Sequence, residues 1–481
     1  MWTNINQRDL NWAASFSKSF KISDFLENTM KIGYQGVNKF RSLDVLEMLP
    51  ATRSYDENPS NSNRSAPRIM TNYAELMKPE NLGNGNGQAY YYAMNTGGRI
   101  SSGGMNNHSA YIMLDQKLWD KLRLVYGARL EFFDLENRQE QQILSLYGPD
   151  ALEDPKYAYR LTVGDKQTRI LPSINLTYQI TDNFNFRTSF SRTAIRPDFR
   201  ETGMFAFYSF DINGYIGGEQ VVSTIVENTD IRLEWYPGPG EIISVTGYYK
   251  YLDKPIELVQ GERYRNLYKY ANMESATNMG LEMEIRKNFG FLSEKPWLNN
   301  LFIYANGTVL KSHVNALSAY NWINPPGETT AVRMQQRVPS QDRPLMGQSP
   351  WLLNLGFGYW GDKFGATANY NHRGYRTNLG NIDMSRVEFE LAPRQLDFQL
   401  YGRFLKKKLE MKFNIANVLN DWTRFYRNNL YYSPGEIADQ KERGNTVESK
   451  GDVRYNKKDG DIILYQSREG VRYNLSLTYS F

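Results

Sequence analysis

Polar and apolar residues alternate along much of this chain, most regularly at its end. In Val471–Phe481, the residues Val471, Tyr473, Leu475, Leu477, Tyr479 and Phe481 share one face of an extended strand, and Arg472, Asn474, Ser476, Thr478 and Ser480 share the other. The same period recurs upstream. Leu10, Trp12, Ala14, Phe16 and Phe20 oppose small polar residues, with Lys18 interrupting the apolar side. Leu122, Leu124, Tyr126, Ala128, Leu130 and Phe132 oppose Lys121, Arg123, Arg129 and Glu131. Ile231, Leu233 and Trp235 oppose Asp230, Arg232 and Glu234, and a PGPG turn at Pro237 to Gly240 sends the chain back through Ile243, Val245, Tyr249 and Tyr251. Further pairs follow at Leu281–Val309, Trp351–Tyr370 and Leu396–Ile415. The pattern predicts about fifteen strands of roughly ten residues each, and no segment of helical period competes with them.

The connections sort by length. Every second one is a tight turn, and the others include long polar segments near 41–107, 134–169, 194–222, 314–348 and 421–467. Short turns at one end and long loops at the other predict an all-β protein, an antiparallel transmembrane β-barrel, with the long loops extracellular. A soluble sandwich has no reason to sort its loops in this way. In lipid the backbone has no water to bond, so the sheet must close and its outward side chains must be apolar. A mid-bilayer Arg or Lys on the lipid face costs about 2–4 kcal/mol, which explains why Arg129 and Arg232 keep to the polar register.

Composition agrees. The 481 residues include 34 Tyr, 24 Phe and 9 Trp, which suits strands and interfacial girdles. A mean hydropathy of -0.61 and the lack of a long apolar run exclude helical membrane spans but not a barrel. With no cysteine there are no disulfides and no thiolate chemistry. The net charge of +5 is a small difference between 57 basic and 52 acidic residues, so no nucleic-acid footprint follows.

Several stretches then resemble the barrel of TonB-dependent outer-membrane receptors, in the Bacteroidetes-type branch. They are SFSRTAIRPDFRETGMFAFYSFD (Ser189–Asp211), with its core Arg196, Pro197, Asp198, Phe199, Arg200 and Glu201, and IRLEWYPGPGEIISVTGYYKYLDKPIE (Ile231–Glu257). RPLMGQSPWLLNLGFGYW (Arg343–Trp360), FNIANVLND (Phe413–Asp421) and the closing VRYNLSLTYSF follow in family order. Where the family commonly has Gly-Asn-Pro-x-Leu, this chain has IGGEQVVSTIVEN (Ile216–Asn228). The resemblance implies a barrel of about twenty-two strands in the bacterial outer membrane, so the chain corresponds to its C-terminal part. Met1 to Leu10 carries no secretory signal, and the family's plug domain, TonB box and first strands find no counterpart. An unclosed sheet is then expected, whose last strand sits at an edge or pairs non-natively instead of laddering to Leu10–Phe20.

The function implied is import of a large scarce ligand, an iron chelate, a glycan or a peptide, energised by TonB through the absent plug. The alternative is a non-transporting adhesin or scaffold barrel for a surface complex. Tyr473, Leu475, Leu477, Tyr479 and Phe481 are expected to be the signal read by the barrel-assembly machinery. Phe205, Phe207, Tyr208, Phe210, Tyr215, Trp322, Tyr431 and Tyr432 are the candidate ligand contacts, because loop aromatics offer area and hydrogen bonding together. For each of them, packing within its own loop is the competing role. Partners implied are outer-membrane lipid, the assembly machinery, the TonB system and a surface lipoprotein; no nucleic acid, cofactor or metal is expected. The three His, at 108, 313 and 372, are dispersed and form no helical metal pair, so no enzyme is expected, and His108 and His372 are placed as solvated residues near strand ends.

Overall fold

The computed structural model describes residues 2–52, 78–79, 90–95, 100–139, 143–144, 148–154, 162–203, 206–209, 212, 214–261, 267–293, 295–323, 330–337, 343–381, 386–428, 454–455, 457 and 461–481. Its strands begin with β1 (Trp2–Ser23), β2 (Leu26–Thr52), β3 (Tyr90–Asn95), β4 (Ile100–Leu118), β5 (Leu122–Arg138), β6 (Thr162–Thr181) and β7 (Phe184–Ile195). Next come β8 (Ala206–Ser209), β9 (Gly214–Gly217), β10 (Thr224–Trp235), β11 (Ile242–Asp253), β12 (Ile256–Gln260), β13 (Leu267–Asn272), β14 (Ser275–Asn288) and β15 (Leu301–Asn315). Then follow β16 (Asn321–Ile323), β17 (Val332–Met334), β18 (Trp351–Trp360), β19 (Phe364–Arg373), β20 (Arg376–Leu379) and β21 (Glu388–Leu391). The last are β22 (Gln395–Phe404), β23 (Leu409–Ala416), β24 (Thr423–Arg427), β25 (Ile462–Ser467) and β26 (Arg472–Tyr479).

Fifteen of these form one antiparallel ladder in the order β1-β2-β4-β5-β6-β7-β10-β11-β14-β15-β18-β19-β22-β23-β26, with β3 paired to β2 beside it. Each hairpin predicted from alternation is present. Within the described residues β26 pairs with β23 and β1 with β2, and the two do not meet. The last strand therefore lies at a sheet edge, as the sequence predicts.

The alternation becomes two walls. Leu281, Val309 and Trp351 stand side by side in adjacent strands, and Phe357, Ala368, Phe398, Ile415 and Tyr473 form a row across the last five. These are outer-face positions that bury themselves in lipid. The inner face carries ion pairs instead: Arg187 and Arg232 both reach Glu234 at 2.7 Å, and Arg232 also reaches Glu284 at 3.0 Å. Tyr111, Tyr304 and Tyr401 on this wall lie over Gly33, Gly356 and Gly365, their partners in register, where a Cβ would enter the ring. A bulky ring thereby shields the bare backbone beside it.

The tight turns share one end. The β4–β5 turn has three residues between the register partners Leu118 and Leu122, and two of them, Trp119 and Asp120, are left-handed at φ 49° and 58°. At the other end the ladder outruns the alternation. β2 continues to Thr52 and β4 starts at Ile100, inside the segment placed as loop from 41 to 107; β5 continues to Arg138 and β6 starts at Thr162, inside that placed from 134 to 169. There no lipid imposes an apolar outer face, and on the inner face Phe133 and Leu135 pack against Phe199, so pairing persists without the apolar period that betrays the rest of the ladder.

Candidate functional site

Above the wall the long connections fold together. β12, β13, β9 and β8 form one sheet, β20, β21, β24 and β25 another, and β16 pairs with β17. The first two sheets are stitched: the Gly380 N–H donates to Leu258 O at 2.9 Å, the Gln260 N–H donates to Gly380 O at 3.1 Å, and Asn381 donates to Gln260 at 2.6 Å. Ile216, Leu258, Tyr268 and Leu379 make a shared apolar core, and a larger one runs from Val226 through Ala271 and Met273 to Leu345. A single barrel wall between lipid and lumen has no core of its own. The packed interior therefore sits in these long connections.

Buried charge holds them in register. Arg343 grips Glu257 through two bonds, at 2.7 and 3.1 Å, and the Met346 N–H donates to the same carboxylate at 2.7 Å. Both side chains are almost wholly buried, at 1% and 0% exposure, so the pair is desolvated and depends on these bonds. Glu257 ends the Lys-Pro-Ile-Glu segment and Arg343 begins Arg-Pro-Leu-Met. Two segments that resemble the family are thus one joint. Glu219, also fully buried, is met by Lys269 at 3.1 Å and by Arg333.

The Arg-Pro-Asp-Phe-Arg-Glu core makes a second joint. Arg196 donates to Glu131 at 2.8 Å and to Ser223 at 3.1 Å, and lies over the Phe133 ring at 4.5 Å. Asp198 precedes a single helical turn, Phe199–Thr202, and accepts from Arg41 at 2.8 Å, while its N–H donates to Glu201 at 2.9 Å. Burial pushes the Glu201 carboxyl above its ordinary range, against the lowering effect of that N–H. The connection after β7 is thereby pinned to β2 and β5. FNIANVLND makes a third: the Asn417 N–H donates to Asp397 at 2.7 Å, its amide donates to Gly470 O at 2.9 Å, and Asp421 holds Arg394 at 2.8 Å.

Four of the eight candidate ligand residues fall within the described strands, on β8, β9 and β16. Tyr208 and Tyr215, on β8 and β9, meet edge to face at 5.4 Å, so they pack on one another. Phe207 lies on β8 opposite Ile216, and Trp322 lies on β16 opposite Arg333; their side chains are outside the described residues. Phe205, Phe210, Tyr431 and Tyr432 also fall outside them. Tyr473, Leu475, Leu477 and Tyr479 project from the outer face of β26, at 69%, 59%, 61% and 48% exposure, and Phe481 follows the strand. His108 is not at a strand end. It stands within β4, where Tyr34 Oη is 2.6 Å from its Nδ1 and Trp12 is 5.7 Å away, an aromatic cluster on the outer face. His372 ends β19 against Trp351 at 4.9 Å. Rings of this kind on the outer face mark the lipid–water boundary.

A ladder of paired strands with an apolar outer wall, a charged inner wall, turns at one end and a folded loop body at the other is a transmembrane β-barrel architecture. The family model for TonB dependent receptor-like β-barrels matches residues 2–418. The chain belongs to this family of outer-membrane receptors. The solved ferric citrate transporter FecA, in its unliganded form, matches with a TM-score of 0.57 at 12% identity, over 99% of this chain and 55% of that one. The siderophore receptor PiuA from Acinetobacter baumannii gives 0.57 at 14% identity, over 88% and 53%. The ferric-catecholate import receptor Fiu from K12 E. coli gives 0.56 at 11% identity, over 99% and 55%. At these identities the likeness is one of fold, and the chain spans about half the length of each structure. No curated protein sequence matches it.

Proposed function

We propose that this barrel serves TonB-energised import of a large scarce ligand, which its extracellular body captures before passage along the lumen. The observation that carries this is the body itself: the connections after β7, β11, β19 and β23 are joined to one another by β pairing and hydrogen bonds above a polar inner wall. An adhesin gains nothing from a polar lumen beneath its binding surface. An importer requires one. The matched solved receptors are named for ferric citrate, siderophore and ferric-catecholate uptake, which favours an iron chelate over a glycan or a peptide as cargo. In this reading a plug occupies the lumen, TonB acts on that plug, the outer face of β26 is what the assembly machinery reads, and a surface lipoprotein can cover the body.

Deleting the gene and supplying iron chelates, glycans or peptides as the sole source of iron or carbon tests the reading. Growth on one class should fail and return when the intact gene is restored. Equal growth of both strains on every class, with loss of surface attachment instead, would establish the adhesin.

A further inference from the structure

The inner wall carries a cavity beside the joint that the Arg-Pro-Asp-Phe-Arg-Glu core makes. It has a volume of about 360 Å³, within the range of small-ligand sites, and is lined by β1, β2, β4, β5 and the start of the connection after β7. Phe133 and Leu135 give it an apolar floor, and Lys39, Arg41, Asn107 and Arg196 give it a polar rim. It lies on the loop side of the ring cluster at Trp12, Tyr34 and His108, since Lys39 and Arg41 follow Gly36, the register partner of Trp12. A ligand entering from outside reaches it before the membrane-spanning lumen.

Its charge is unbalanced. Three cations line it against one carboxylate, Asp198. Asp198 is held by Arg41, and Arg196 is held by Glu131. Lys39 makes no ion pair among the described residues; Asp9, opposite it in register, instead accepts from Gln7 at 3.0 Å. Hydrogen-bonding capacity is also unspent, for Asn107 Oδ1 and Arg196 Nε are buried with no partner among the described residues. A native interior rarely leaves two such atoms beside one cavity. An excess cation and a free guanidinium N–H suit the oxygens of an anion, and the free amide oxygen, which accepts, suits a hydroxyl on the same small carbon frame above the apolar floor.

We propose that this cavity binds a small hydroxylated organic anion, a carboxylate or a phosphate, with Lys39 as the main charge contact, the Arg196 Nε–H donating to the anion and Asn107 Oδ1 accepting from a ligand hydroxyl. The proposal rests on the import reading and narrows its cargo to anions. It is tested by binding to the intact receptor purified in detergent, which requires neither TonB nor uptake, so its failure is distinguishable from failure of the import reading.

The receptor is titrated calorimetrically with citrate and with inorganic phosphate, and with sucrose as a neutral comparator. At least one anion should bind, sucrose should not, and added salt should weaken the binding. Lys39→Gln, at a half-buried side chain without an ion pair, should weaken it about fivefold, the loss of one screened charge contact, and Lys39→Arg should restore it. Asn107→Asp, which sets a carboxylate against the anion, should weaken it further. Binding of neither anion, equal binding of sucrose, or anion affinity unchanged in both Lys39→Gln and Asn107→Asp would overturn the proposal.

Discussion

Glu257 and Arg343 are nearly without water, and a charge so placed leans wholly on its partner. Removing one leaves the other buried and unpaired, at a cost of about 3–5 kcal/mol. Glu257→Ala should therefore loosen the folded loop body while the ladder persists, seen as protease cleavage after β11 and before β18 in an otherwise folded barrel. Glu257→Ala combined with Arg343→Leu should recover much of the protection. On the inner wall, Gly356 faces the Tyr304 ring, and Gly356→Val should cost about 1–3 kcal/mol through crowding. Adding Tyr304→Ala should relieve it, measured as the temperature at which the detergent-solubilised barrel unfolds. Legibility at this scale is uneven. The side of the wall to which Leu281 and Glu282 belong follows from alternation, because the strand period is two. The Glu257–Arg343 joint does not, because 86 positions separate the pair and nothing local in either segment points to the other.

Among elements, the ladder was legible where lipid demanded an apolar face, and the loop sheets were not. β12, β20 and β21 have only four or five residues, and β12 and β21 are buried on both faces along most of their length, so a two-residue period has no room to show. The upper parts of β2 and β4 escaped because no lipid imposes an apolar outer face there. The sheet β20-β21-β24-β25 carries its own pH dependence. Burial pushes the Glu388 carboxyl above its ordinary range, and Asn378, donating at 2.6 Å, offsets this only in part. A raised carboxyl holds its proton in the fold more tightly than in the open chain. Its stabilisation is complete below the ordinary carboxylate range and is lost as pH rises through the raised value. Hydrogen exchange in β20, β21 and β24, corrected for the chemical rate, should slow on acidification from neutral pH, and Glu388→Gln should flatten the response. Faster exchange in acid would show that other groups dominate this sheet.

For the whole molecule, physics ties three features together. A transmembrane sheet needs an apolar outer wall, a lumen needs a polar inner one, and a receptor needs a folded surface where the lumen opens to the outside. The first two are written in the alternation from Leu10 to Phe481. The third depends on joints between distant connections and becomes visible only when Glu257 meets Arg343 and Gly380 meets Leu258. Import by such a body separates capture at the surface from passage inward, and only passage should draw on TonB. The direct measurement follows a labelled cargo in cells carrying the intact gene, with surface-bound and internal label counted separately, before and after deletion of TonB. Internal label should vanish while surface binding stays. Internal accumulation that continues unchanged without TonB would contradict the account.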